Sequence, residues 1–280
     1  MGVILRKLMD IAARQYVAGP GLSDAVGFAR TLERDGMSST IAYWNDSGED
    51  PMRVQKAYLE AIDGVADART KAYVSVKAPA ISMSPTLAAG LAERCAERDM
   101  GLHFDSLGLE TQAPTFALID RLRPLGVKLG CTLPGRFHQS IADAEKAIDW
   151  ELRVRVVKGQ WEEPGSRLDP RQGFLEVIDA LAGRATQVAV ATHDPALAEE
   201  ALARLAGRGT SAELELLLGL PVHAARSVAE RRGVPVRIYV PYGRAWLPYT
   251  LSAARKNPRI LRWILEDALR GRTLRADRRL

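Results

Sequence analysis

Cysteine is nearly absent from this chain: Cys95 and Cys131 are the only two among 280 residues. Two cysteines build no disulfide framework and no thiolate metal cage, which fits a reducing compartment. Only four histidines are present, and none is spaced with an acidic partner in the manner of a metal site, so no metal is expected. No run of 18 uninterrupted apolar residues occurs, so no transmembrane segment is expected. The opening Met1–Asp10 stretch lacks the apolar core of a secretion signal, and the expected location is cytoplasmic. Long linkers and low-complexity tracts are missing as well, so one domain is expected over 1–280. Within it, 1–38 reads as N-terminal helices, 39–268 as the main body and 269–280 as a basic tail.

What is there is ordinary for a globular enzyme: 47% hydrophobic and 26% charged residues. The net charge of +5 is spread along the chain rather than gathered. The one dense basic run, from Leu269 to Leu280, reads as a solvated end, and no nucleic-acid partner is expected.

Two amphipathic N-terminal helices are expected over 3–17 and 22–35. Short β-branched runs then recur at 40–44, 73–77, 102–105, 127–131, 152–157, 187–192, 213–218 and 236–240. Stretches with helical periodicity separate them, Pro85–Glu97 and Pro195–Leu205 among them. Such alternation implies parallel pairing with right-handed crossovers. Eight repeats in one domain favour a closed (βα)₈ TIM-type barrel, an α/β fold. An open doubly wound sheet is the alternative, but no Gly-x-Gly-x-x-Gly follows the first strand to support a dinucleotide site.

Barrels of this kind collect their chemistry at the carboxyl ends of the strands. Those ends carry Lys77, Asp105, Cys131 with Thr132, Lys158–Trp161, Thr192-His193-Asp194, Leu218-Gly219 and Tyr239. Lys77 is either a lysine snorkelling from the rim or a cation aimed into the mouth. Asp105 is either a turn residue or a carboxylate able to pair with Lys77. Arg153 and Arg155 alternate along one strand that ends in Lys158-Gly159, offering positive charge and a backbone without Cβ where a flat or anionic cofactor can approach. His193 ends the next strand, as a structural hydrogen-bonder or a site residue.

Ordered pieces of the chain resemble the proline dehydrogenase family from about residue 20 to residue 265. Arg155-Val-Val-Lys-Gly-Gln-Trp161 is similar to its Arg-Leu-Val-Lys-Gly-Ala-Tyr, and Ala191-Thr-His-Asp194 to its Ala-Thr-His-Asn/Asp. Glu213-Leu-Glu-Leu-Leu-Leu-Gly219 resembles Glu-Phe-Gln-Met-Leu-Tyr-Gly, while Tyr249-Thr-Leu-Ser252-Ala253-Ala-Arg-Lys-Asn257 resembles Tyr-x-x-Arg-Arg-x-x-Glu-Asn. The resemblance implies a distorted barrel, non-covalent FAD across its carboxyl end, and a last helix lidding the substrate. It places Arg155 beside the flavin, Cys131, Val157, Lys158, Gly159, Trp161, Thr192 and His193 along the cofactor, and Lys77, Asp105, Leu217, Tyr239, Tyr249 and Ser252 around the substrate.

The departures matter as much. Ser252 and Ala253 replace the two arginines that grip proline's carboxylate in the family, and Cys131 stands where a glutamine is usual. Asp105, balanced in the family by one of those arginines, is expected to need a new cation, a substrate amine being one candidate. The expected function is therefore FAD-dependent oxidation of a C–N (or N–N) bond in a small amine other than free L-proline, in specialised biosynthesis, with quinone or oxygen as the open choice of electron acceptor. The alternatives are a flavin-free lyase using Lys77 or Lys158 as a Schiff-base amine, and a non-catalytic binding protein that keeps the barrel.

Overall fold

A computed structural model describes residues 18–243. The expected helix over 3–17, the basic tail, the closing helix, Tyr249 and Ser252 lie outside the described residues.

All eight expected strands form: β1 (Ser38–Tyr43), β2 (Ala72–Val76), β3 (Gly101–Phe104), β4 (Lys128–Pro134), β5 (Arg153–Val157), β6 (Val188–Ala191), β7 (Ala212–Leu217) and β8 (Val236–Tyr242). They pair in parallel in chain order, and β8 closes on β1 through a ladder from Ser38↔Arg237 to Tyr43↔Tyr242. Helix α1 (Leu22–Arg34) precedes β1. Helices α2 (Pro51–Asp67), α3 (Pro85–Glu97), α4 (Leu109–Leu122), α5 (Gln139–Asp149), α6 (Pro170–Leu181), α7 (Pro195–Ala206) and α8 (His223–Arg232) cross between successive strands. The open-sheet alternative is thereby excluded. None of the described helices is long and apolar enough to cross a membrane.

Local chemistry fixes where several crossovers start. α2, α3, α6 and α7 each begin with proline, preceded by Asp50, Ser84, Asp169 and Asp194. Proline presets the first helical φ and lacks the N–H that would go unpaired there, while the preceding side chain caps the next donors. Asp194, for example, accepts from the backbone N–H groups of Ala196 and Leu197 at 3.0 and 3.2 Å.

Strand alternation then sorts two environments. Ile41, Val74, Val76, Leu102, Phe104, Leu133, Val154, Val156, Val190, Leu214, Ile238 and Val240 are fully buried or nearly so and pack with the helices. The hydrophobic core is thus the cylinder between strands and helices. The interior of the barrel receives the opposite residues of each strand, and these are mostly polar or charged, where aliphatic layers are the usual filling.

At one point helix and strand approach within backbone contact. A Cβ on Gly173 of α6 would lie 2.0 Å from the Gly135 carbonyl oxygen at the end of β4, and one on Gly135 would lie 2.3 Å from the Phe174 nitrogen. Gly27, on the exposed side of α1, meets nothing within 4 Å. Gly173→Ala is therefore expected to destabilise the protein by about 1–3 kcal/mol through overpacking. Gly27→Ala is expected to stabilise it by about 0.5–1 kcal/mol by lowering the entropy of the unfolded chain and raising helix propensity. Thermal melts of the two variants should move in opposite directions, and a Gly173→Ala variant as stable as the parent would contradict the close approach.

Candidate active site at the carboxyl mouth of the barrel

The inward residues of β1–β3, β5, β7 and β8 form one connected ionic network. Arg155 of β5 lies at its centre, 4% exposed. Its Nε donates to Glu215 Oε2 at 2.9 Å, and its Nη2 lies 2.9 Å from Glu215 Oε1 and 3.0 Å from the Tyr73 hydroxyl. Its Nη1 donates to Asp105 Oδ1 at 2.6 Å and, more weakly, to Ser75 and Thr132 at 3.4 and 3.5 Å. Every N–H of the guanidinium therefore faces a protein acceptor, and only the long pair to Ser75 and Thr132 is easily given up. Arg153 and Arg237, one layer below, share Glu213. Three guanidiniums (Arg153, Arg155, Arg237) thus meet three carboxylates (Asp105, Glu213, Glu215) in the barrel interior.

Burial would raise the pKa of a carboxyl such as Glu215. The guanidiniums of Arg155, Arg153 and Arg237 outweigh that and hold it at about 2. Thr40 adds a hydrogen bond to Oε1 at 2.8 Å. Small residues make room for the long ones: Ala189 is in register with both Arg155 and Glu213, and Ala191 with Glu215.

Above this network lies a cavity of about 470 Å³. Arg155 and Glu215 of that network reach its floor, and Lys77, Asp105, Val157, Gly159–Trp161, His193, Leu217 and Tyr239 are among the residues that line it. Lys77 Nζ donates to the Tyr43 carbonyl at 3.2 Å and lies 5.6 Å from the centre of the Trp44 ring. Burial lowers its pKa to about 8, against the opposing charge of Asp105. Asp105 Oδ1 accepts from Ser75 at 2.7 Å and from Arg155, and its Oδ2 accepts from the Tyr239 hydroxyl at 2.7 Å.

Nine of the residues expected from the sequence are thus gathered here: Lys77, Asp105, Arg155, Val157, Gly159, Trp161, His193, Leu217 and Tyr239. Three are placed elsewhere. Cys131 is buried against the helices, because alternation along β4 turns its neighbour Thr132 inward instead. Lys158 is exposed and does not line the cavity. Thr192 is buried, and its hydroxyl accepts the Asp194 N–H within the turn that starts α7. The expectation for Asp105 is also corrected: Arg155, Ser75 and Tyr239 already satisfy it, so it does not wait for a substrate cation. Gly159 has φ +91, and a Cβ there would press on Pro134 at 3.0 Å, so its glycine serves the turn as well as any ligand.

His193 is clamped at both nitrogens. Nε2 accepts the Leu217 N–H at 2.9 Å, which leaves Nδ1 to donate to the Pro221 carbonyl at 2.8 Å. The ring is neutral and ties the end of β6 to the loop after β7, presenting carbon rather than a free nitrogen to the cavity.

Glu215, Tyr73, Ser75 and Thr40 were not expected in the site. Their signal was present: Glu213-Leu-Glu215 and Arg153-Val-Arg155 carry opposite charges at the same two-residue spacing. That spacing puts each set on one face of its strand, and in this barrel both faces are the inward ones.

No protein-family profile matches the chain. Among characterised relatives, proline dehydrogenase 1 of Bacillus subtilis (strain 168) is 23% identical over 279 residues, covering 93% of this chain and 91% of that protein. Proline dehydrogenase of Deinococcus radiodurans is 23% identical over 298 residues, covering 96% and 93%. Over more than nine-tenths of its length the chain is thus similar to proline dehydrogenases. The fold agrees: proline utilization A from Bdellovibrio bacteriovorus, inactivated by N-propargylglycine, superimposes with a TM-score of 0.76 at 14% identity over 89% of this chain. The match covers 33% of that longer protein, so this chain spans about a third of its length.

The clamp on His193 has a pH signature. Burial lowers its pKa to about 4, so below pH 6.5 the unfolded chain takes up a proton that the folded chain refuses. Its contribution to stability is present above pH 6.5 and is lost as the pH falls toward 4. His103, also held well below the ordinary histidine range by burial and the neighbouring guanidiniums, adds the same sign. His193→Leu should melt lower at pH 7.5 and lose less on going from pH 6.5 to 4.5 than the parent. Equal slopes of melting temperature against pH would show that His193 is not buried in this way.

Proposed function

We propose that this chain is an FAD-dependent oxidoreductase that removes hydride from the carbon next to nitrogen in a small amine other than free L-proline. The supporting observation is Arg155, a fixed cation under a mostly apolar cavity, in a chain related end to end to proline dehydrogenases. The residues fit the cofactor: a cavity of about 470 Å³ is of the size used for small-ligand sites and suits a flat ring with a small substrate. Arg155, Val157, Gly159, Gln160, Trp161 and His193 would hold the ring. When bound, FAD supplies the two-electron acceptor.

The protein's own groups do the rest. Arg155 favours negative charge developing above it, and acts largely through its field because its N–H groups are engaged. Trp44, Leu217 and Tyr239 keep water from the reacting carbon, while Asp105 fixes the Tyr239 phenol by accepting a hydrogen bond from its hydroxyl. No general base is required if the amine enters as its free base. The committed state of Asp105 supports that form, since an ammonium would find no unpaired carboxylate among Asp105 and Glu215.

The argument against proline rests on Ser252 and Ala253. Losing a buried arginine–carboxylate contact costs about 2–5 kcal/mol, or roughly 30-fold to several-thousand-fold in affinity. A specialised biosynthetic step suits such a site better than proline breakdown, with quinone or oxygen taking the electrons. Lys77 supports a second reading: an amine with its pKa at about 8 is partly deprotonated near neutrality and suited to imine formation in a flavin-free lyase.

Incubation with FAD followed by gel filtration is expected to leave an absorbance band near 450 nm. An anaerobic panel of cyclic and acyclic amines should bleach it, with L-proline at least about 30-fold less effective than the best amine. A protein that stays colourless but is trapped by borohydride with a carbonyl compound, and not after Lys77→Met, would replace this reading by the lyase.

A further inference from the structure

Glu215 is the most heavily engaged carboxylate of the interior, yet the proposed chemistry gives it no step. Its two oxygens meet the Nε and Nη2 of Arg155 at 2.9 Å each, a bidentate pair 3% exposed at the Glu215 residue. Thr40 at 2.8 Å and Tyr73 at 3.3 Å supply hydrogen bonds from the other side. It also stands where the family motif quoted above carries glutamine, a neutral residue of the same length and shape. The chain has therefore added one negative charge directly against the cation at the cavity floor.

We infer that Glu215 is a positioning residue that offsets the charge of Arg155 and so lowers the affinity of this site for reduced, anionic flavin relative to oxidised flavin. This rests on the flavin reading proposed above. Three features support it. The carboxylate stays ionised, because the three guanidiniums around it hold its pKa at about 2. Its contact with Arg155 is shielded from water, so the opposing fields are weakly screened. Arg153 also reaches Glu215, at 3.6 Å, so the interior set of three guanidiniums and three carboxylates is balanced, whereas a glutamine at 215 would leave it with one excess positive charge. Reduction adds two electrons to the ring, with one proton taken up when the product is the anion. The added negative charge then faces a floor already supplied with carboxylates. Glu215 thus biases the enzyme toward a flavin that gives up its electrons readily, while its fork keeps Arg155 in one orientation.

The test is the flavin midpoint potential of the FAD-loaded protein, measured by equilibration with reference dyes, together with FAD affinity and thermal stability. Glu215→Gln should strengthen binding of reduced over oxidised flavin by at least about tenfold, a rise of about 30 mV for a two-electron couple. Thr40→Val removes a hydrogen bond to the same carboxylate but no charge, and should leave the midpoint within about threefold of the parent on the same scale. If Glu215→Gln does not fold, Glu215→Asp, too short to reach both Arg155 nitrogens, should give a smaller rise of the same sign. A flavin-loaded Glu215→Gln protein with an unchanged or lowered midpoint overturns the inference alone. An equal rise in Thr40→Val also overturns it, because packing rather than charge would then be responsible. A parent protein that takes up no flavin overturns the functional reading and this inference together.

Discussion

The bidentate pair between Arg155 and Glu215 is the constraint around which the barrel interior is arranged. A guanidinium removed from water costs several kcal/mol unless its charge and its N–H groups are matched. Meeting that condition fixes Asp105, Tyr73, Ser75 and Thr40 in place, and through Asp105 it fixes Tyr239. Arg153 and Arg237 repeat the solution one layer down with Glu213. Each side chain is held by partners on other strands, so the interior specifies the register in which the strands close. The same pairs that hold the fold position the cation beneath the cavity.

That arrangement divides labour between two shells. Burial of aliphatic residues between strands and helices provides the non-directional part of stability. The polar interior contributes specificity, since each charge there has one satisfactory arrangement. Small residues such as Ala189, Ala191 and Gly130 on the inward faces belong to this second shell. A Cβ on Gly130 would lie 2.3 Å from His103 Nδ1. Their size is set by the long side chains beside them.

Strand number, order and closure were legible because they depend on a coarse signal, the alternation of β-branched and amphipathic segments. Helix starts at Pro85 and Pro195 were legible for a local reason, proline after a capping residue. The cavity side chains Lys77, Arg155, His193 and Tyr239 could be picked out because they end strands. Cys131 was misplaced because position at a strand end says nothing about which face a residue takes, and one step along β4 exchanges inside for outside. Glu215 was overlooked because its significance is a distance across the barrel, 60 residues away from Arg155 in sequence. Asp105 was read as unbalanced for the same reason: its partner was sought in the lost arginines near the end of the chain, when Arg155 was already at hand.

The matched charges of the interior also bear on how such a site can diverge over generations. Substituting any one of the three arginines takes a cation from one or two buried carboxylates, whereas a neutral amide of the same shape in place of a carboxylate keeps most of the hydrogen bonds and gives up the charge. Ser252 and Ala253 belong to a different part of the chain, and their replacement leaves every one of those pairs intact. The carboxylate positions are therefore where the charge of the floor can be retuned one step at a time while the arginines stay in place.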